Sequence, residues 1–211
     1  MVFQAYVHTV TAQTERLHRL AYDLREQVHP WRFSPVVEAL QALRGVQCTV
    51  AVTTVAALGD LTRFDSPRQL MHYLGLTPSE YSRGARRQQG SSTKTGNTHA
   101  RRALVEGAWA YRSPAKVRRH LHLRLDKLPT AMQAISWKAQ VRLCKRYRQL
   151  MATGKNAQQV VGAMARELSA FMWAIAQQVS VPPAGEGWRV VLQPTLYRLQ
   201  LHRKRRSPGL V

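Results

Sequence analysis

The sequence predicts a mainly α-helical protein, a long N-terminal helix followed by a compact helical domain. Three observations carry that expectation. Apolar residues recur at helical spacing in successive segments between Phe3 and Val179, prolines, glycines and Ser-Pro pairs cut the segments apart, and one basic stretch, 76–97, has glycines but no helical period.

Phe3, Val7, Val10, Thr14, Leu17, Ala21, Leu24 and Val28 follow a 4-3-4-3 spacing, the a/d seam of a coiled coil. Residues 1–33 are therefore expected to form a coiled-coil segment, the alternative being a helix packed on its own domain. Pro30 ends it, and Ser34-Pro35 reads as an N-cap with proline at the first helical position. Val36 to Leu43 and Thr49 to Leu58 follow as two apolar helices around the turn Arg44-Gly45-Val46-Gln47. That layout resembles a helix-hairpin-helix element, whose turn offers N–H groups to a phosphate. Gln47 stands nearest to the second glycine of such turns, and a plain helical corner is the competing reading.

Asp60 to Asp65 reads as a loop, Ser66-Pro67 as the cap of the helix RQLMHYLG, and Gly75 as its end. Leu76 to Asn97 is expected to be a loop or short hairpin. Thr98 to Tyr111 returns to helix with Ala103, Leu104, Gly107, Ala108 and Tyr111 on one face, and Pro114 and Pro129 bound a basic helix. In Ser136 to Met151 the residues Trp137, Val141, Cys144 and Leu150 form the apolar set. Gly154 closes that helix, and Asn156 caps an apolar one from Ala157 to Val179. A helical domain is thus expected over 34–179 and a disordered basic tail over 180–211, including the His202 to Arg206 run.

With 32 basic residues against 11 acidic ones the chain carries a formal charge of +21, and 45% of it is hydrophobic. The charge implies a polyanionic partner, and the spread of bases along the chain favours nucleic acid over anionic lipid. Cys48 and Cys144 give neither a disulfide framework nor a zinc signature. No secretory pattern opens the chain, and the most apolar run, Val160 to Val179, contains Arg166 and Glu167. A cytoplasmic protein without a membrane segment is expected.

Between Arg83 and Arg124 eleven Arg or Lys face one acid, Glu106. Arg83, Arg86, Arg87, Lys94, Arg101 and Arg102 are the candidate nucleic-acid contacts, because guanidinium forks and glycine-exposed N–H groups neutralise phosphate oxygens. Ser82 lies among them. A serine there can donate a hydrogen bond to phosphate, or attack a phosphodiester to form a phosphoserine. There is no P-loop lysine motif, G-x-S-x-G elbow or HExxH pair. His72, His99, His120 and His122 lack metal spacing, and the dispersed acids do not make a two-metal nuclease site.

PSEYS, TKTGN and RRALVEGAW, within GDLTRFDSPRQLMHYLGLTPSEYSRGARRQQGSSTKTGNTHARRALVEGAWAYRSPAKVRRHL and on through ISWKAQVRLCKRYRQLMATGKNAQQVVGAMARELSAFMWAIA, resemble the C-terminal transposase domain of the insertion-sequence one-ten family. The resemblance covers residues 1–179. These are bridge-RNA-guided serine recombinases with an N-terminal RuvC-like domain. It implies DNA strand exchange through a serine nucleophile, Ser82 in this chain, with DNA and a guide RNA as partners and a homo-oligomer formed through the N-terminal helix. It implies no cofactor in this chain and a divalent metal, magnesium, in the RuvC-like domain.

Three departures accompany it. Met1 falls inside the coiled coil, so a truncated copy without the RuvC-like domain is expected. The family commonly has two serines before the loop glycine, whereas Arg83 follows Ser82 here; which of the two positions carries the nucleophile stays open, and at the second it is lost. Ser92 replaces an apolar residue, and the tail after Val179 is unlike the family, as a frameshift would leave it. The alternative to a recombinase is a non-catalytic remnant that binds nucleic-acid backbone and pairs with an intact transposase.

Overall fold

The structure, a computed structural model, describes residues 2–83 and 86–183, with side chains throughout except at 81–83 and 86–89. Its helices are α1 (Val2–Val28), α2 (Ser34–Leu40), α3 (Cys48–Leu58), α4 (Pro67–Tyr73), α5 (Thr98–Ala108), α6 (Arg119–Leu125), α7 (Thr130–Ala152) and α8 (Ala157–Ala176). Between α4 and α5 the strands β1 (Pro78–Arg83) and β2 (Arg86–Ser92) pair antiparallel. Short 3₁₀ turns occupy Leu61–Arg63 and Trp109–Arg112. The chain is mainly α, as its pattern predicts.

α8 is the axis of the core. The Asn156 side chain accepts from Gln158 N–H at 2.8 Å and starts the helix, and Val161, Met164, Leu168, Met172 and Ile175 are then buried along one stripe. That stripe packs against α7, α5, α4 and α2. Each fully buried Leu, Ile or Met is worth about 1.5–3 kcal/mol over its exposed state. Polar ties fix how the neighbours sit. Glu167 on α8 faces α7, where Arg142 Nε lies 2.8 Å from one carboxylate oxygen and Arg146 Nε 2.5 Å from the other. Trp173 Nε1 donates to the Phe64 carbonyl at 2.8 Å, and Ser136 Oγ of α7 donates to the Ala42 carbonyl at 2.6 Å.

Several boundaries and faces differ from the sequence expectation. Phe33, not Ser34, is the N-cap of α2; Ser34 is already helical and gives no capping bond. Ser66 does cap α4, accepting from Gln69 N–H at 3.3 Å. α7 begins at Thr130, directly after Pro129, which is its N-cap residue. The basic segment between Pro114 and Pro129 is helical only over α6. On α7 the buried face is Met132, Ser136, Ala139, Gln140, Leu143, Cys144 and Tyr147, while Trp137 and Val141 are 50% and 44% exposed. Their apolar chemistry pointed inward, but the face that α7 turns to the core is the one that carries Ser136, whose Oγ reaches the Ala42 carbonyl.

α1 reaches the body of the protein only at its C-terminal end. Val28 is buried and Leu24 packs against the core, whereas Phe3, Val7, Val10 and Leu17 are exposed, Phe3 at 77%. From Phe3 to Leu17 its heptad stripe therefore has no packing partner among the described residues. Among them also, no helix is long and apolar enough to cross a membrane. The expected basic tail lies outside the described residues from 184 onward.

Tyr111 is fully buried and its hydroxyl has no hydrogen-bond partner among the described residues. Burial, with Cys144 nearby, pushes its phenol well above the ordinary value. An acid whose folded pKa is raised contributes its full stability below the unfolded value, about 10, and loses it as pH rises beyond that. Tyr111→Phe should therefore leave neutral-pH stability within about 1 kcal/mol and flatten the alkaline decline in urea titrations above pH 10.

Gly45 has φ +82°, and a Cβ there would lie 2.0 Å from the Gly107 carbonyl oxygen. Gly154 has φ +74° with open space around it. Urea unfolding should show Gly45→Ala costing about 2–4 kcal/mol and Gly154→Ala only about 1; equal costs would mean that backbone conformation alone, not close approach, requires Gly45.

Candidate nucleic-acid interface

The basic stretch is a β-hairpin. Pro78 pairs with Ser92, Glu80 with Gln89, Tyr81 with Gln88, Ser82 with Arg87 and Arg83 with Arg86. The register slips between Pro78 and Glu80, where one residue of β1 spans two of β2, and Ser79 Oγ donates to the Ser91 carbonyl at 3.0 Å. Glycine at position 90 suits such a bulge. Ser82 and Arg83 thus end β1 and stand across from Arg87 and Arg86, all four within two pairs of the tip. Their side chains, and residues 84 and 85, lie outside the described residues.

The hairpin is rooted by residues 93–97. Thr93 N–H donates to the Thr77 carbonyl at 2.9 Å and Lys94 N–H to the Gly75 carbonyl at 3.1 Å. A Cβ on Gly75 would lie 1.9 Å from the Thr95 carbonyl oxygen, and one on Gly96 2.0 Å from that of Tyr73. Two backbones meet here without room for side chains. Lys94 is exposed and adopts φ +55°, a left-handed conformation costly for a residue with a side chain.

Asn97 then caps α5 by accepting from Ala100 N–H at 3.0 Å. Arg101 and Arg102 follow in the first turn, and no acidic residue accompanies them. Cations at a helix N-terminus oppose the macrodipole, so this arrangement gives up local stability to concentrate positive potential. The two arginines differ. Arg101 is half-buried and its Nη1 donates to the Leu74 and Thr95 carbonyls, both at 3.1 Å. Arg102 is exposed. The structure thus puts Lys94 and Arg102 at the surface beside the hairpin, whereas Arg101 ties the root to α4.

The turn between α2 and α3 points inward. Gly45 abuts Gly107 of α5, Val46 is buried and its N–H donates to the Leu43 carbonyl at 3.0 Å. Of the turn reading as a phosphate cradle, only the edge at Gln47 is exposed. Arg44, expected only as part of that turn, has a separate structural role. Its Nη1 donates to the Pro114 carbonyl at 2.7 Å and lies 3.4 Å from that of Ser113, holding the segment after α5 against the turn. Between that segment and the turn is an open cleft of about 500 Å³, lined by Trp109, Arg112, Lys116 and Arg118 among others. The run RSPAKVRR was its visible signal.

The cysteines offer no reactive thiolate. Burial raises both, offset at Cys48 by Arg25 and Arg124 and at Cys144 by Arg44 and Arg148. Cys144 is buried, as expected, and Cys48 only half so. Among the described residues no three His, Cys, Asp or Glu come together as a metal donor set.

The sequence that builds the hairpin and its root is similar to one class of protein, the transposases. Residues 37–122, from α2 to α6, match the model of the Transposase IS116/IS110/IS902 family. "Putative transposase y4qE" of Sinorhizobium fredii is 48% identical over 155 residues, 74% of this chain and 40% of that protein. "Probable family 20 transposase" of Pseudomonas aeruginosa is 32% identical over 49% of this chain and 29% of its own. The transposase for insertion sequence element IS1111A of Coxiella burnetii is 30% identical over 46% and 25%. The chain thus spans two fifths or less of the length of these relatives.

Two substitutions separate the roles at the root. Arg101→Gln should cost about 1–3 kcal/mol in thermal or urea unfolding without any ligand, through loss of its charged bonds to two carbonyls. Lys94→Gly should raise stability by up to about 1 kcal/mol while weakening DNA binding in anisotropy titrations. A Lys94→Gly protein that is no more stable than the native chain would remove the case for strain held at this loop.

Proposed function

We propose that the chain acts in DNA transposition, holding nucleic-acid backbone on the basic hairpin and its root, with Ser82 as the nucleophile of strand exchange. The observation that carries this reading is the transposase-family match over 37–122, which encloses the hairpin and ten of the eleven bases between Arg83 and Arg124. Arg83, Arg86, Arg87, Lys94 and Arg102 neutralise phosphates, and Arg101 keeps the root in place. The Ser82 oxygen forms a bond to phosphorus, the P–O bond to the departing strand breaks, and the hydroxyl proton ends, net, on that strand's oxygen. Cations around the reacting phosphate stabilise its extra negative charge.

The remaining parts of this reading concern the whole assembly. A RuvC-like domain with its divalent metal and a guide RNA act with this chain, and the exposed stripe of α1 pairs with a second copy as a coiled coil. A second reading is favoured by Arg83, which stands where the family's second serine is expected. In it, the chain binds backbone and pairs with an intact transposase without reacting.

The two readings part on a denaturing gel. The chain is combined with a separately expressed RuvC-like domain, guide RNA and labelled DNA from an intact relative, alongside Ser82→Ala and Arg83→Ser. We expect a covalent protein–DNA adduct from the native chain and none from Ser82→Ala. An adduct from Arg83→Ser alone would assign the nucleophile to position 83 and this chain to the non-catalytic reading. Both readings require DNA affinity to fall steeply with salt, because several phosphates release counterions.

A further inference from the structure

The cleft beside the α2–α3 turn differs in kind from the hairpin. It is concave, about 500 Å³ in volume, and on the far end of α5 from the hairpin root. Pockets of that size take a small molecule or one residue of a polymer. Arg112, Lys116 and Arg118 line it and are exposed; the exposed Glu106 lines it too, and among the described residues no carboxylate lies within ion-pair distance of any of the three cations, which outnumber it. Glu167 is instead held by Arg142 and Arg146, and Asp126 by His122.

One wall is aromatic. Trp109 opens the 3₁₀ turn after α5 and is half-buried, so its ring is fixed by the core while it lines the cleft. Arg44, with its two carbonyl bonds at 113 and 114, holds the cationic wall opposite the turn. It acts as a positioning residue.

We propose that this cleft takes one unpaired nucleotide of a nucleic-acid strand, its base against Trp109 and its phosphate among Arg112, Lys116 and Arg118. A planar aromatic in a concavity next to unpaired cations is the recognition chemistry of single strands, where bases are free to leave the stack. A duplex presents phosphates on a convex ridge and keeps its bases inside, so it reaches the cations but not Trp109. The inference rests on the reading of the chain as a nucleic-acid-binding transposase domain and adds the strandedness and the second site.

The test uses the full chain and three probes of equal length, single-stranded RNA, single-stranded DNA and duplex DNA, by anisotropy at one salt concentration. Trp109→Leu should weaken single-strand binding roughly tenfold or more and leave duplex binding within about twofold. Trp109→Tyr should restore most of the loss. The surface pair Lys116→Gln/Arg118→Gln, which removes nothing from the core, should lower the single-strand salt slope by about 1.4. A stronger effect on RNA marks a guide strand as the source, and one on DNA a displaced strand; either supports the site. Equal losses on single-stranded and duplex probes, or an unchanged single-strand salt slope in the surface pair, would overturn the nucleotide site while leaving the transposase reading intact. Failure of the native chain to bind any probe would overturn both, and is distinguishable from the first result.

Discussion

Where residues 93–97 cross the end of α4, backbone meets backbone, and the basic hairpin and the start of α5 are positioned by that contact. Gly75 and Gly96 each occupy left-handed conformations, at φ +64° and +86°, and each would drive a Cβ into a carbonyl of the other segment. The hairpin leaves from one side of the contact and α5 from the other. Arg101 bridges it by donating to Leu74 and Thr95. Because close-packed backbone has discrete arrangements rather than a continuous range, the angle between hairpin and α5 is set here. Lys94, held left-handed between two hydrogen-bonded residues, is the strained side of the same device.

A chain with 32 bases and 11 acids must fold against its own repulsion. It does so by using arginines in three ways. Some are matched to the few acids, as when Glu167 takes both Arg142 and Arg146 across the α7–α8 contact. Others are absorbed by neutral acceptors and rings: Arg44 and Arg101 on carbonyls, and Arg63 over Phe64 and Tyr73 at 4.7 and 5.0 Å from their centroids. Others stay exposed, among them Lys94, Arg102, Arg112, Lys116, Arg118 and Arg119 between the hairpin and α6. Glu167 is therefore worth more than its exposed partners suggest, since its removal would leave two cations facing each other beside the core.

Periodicity made the helices legible, because a buried stripe on α8 or α5 is a pattern that sequence displays directly. Caps with a side-chain oxygen, Ser66 and Asn156, were equally legible. What sequence did not show depends on neighbours far along the chain. Trp137 and Val141 look apolar and face solvent, while Ser136 looks polar and is buried, because α7 turns toward the Ala42 carbonyl. Ser82 and its flanking arginines were found by composition, and the hairpin's register adds the pairing of Ser82 with Arg87. Arg101 illustrates the limit of charge as a guide. It sits beside Arg102 in sequence with identical chemistry, yet only the fold decides which of the two guanidiniums is used up on carbonyls.

α1 links the two surfaces that the core leaves open. Its apolar stripe continues beyond the body of the protein for most of its length, and a contiguous exposed stripe of that kind marks an interaction surface. Its last turns do reach the body, at Leu24 and Val28, and they pack next to α3. Arg25 lies near enough to Cys48, the first residue of α3, to lower its thiol pKa against the effect of burial. The N-cap of α3 is Gln47, which lines the cationic cleft. A helix pairing along α1 would thus be anchored to the element that borders the cleft, so the geometry of assembly and the geometry of strand binding share one joint rather than two.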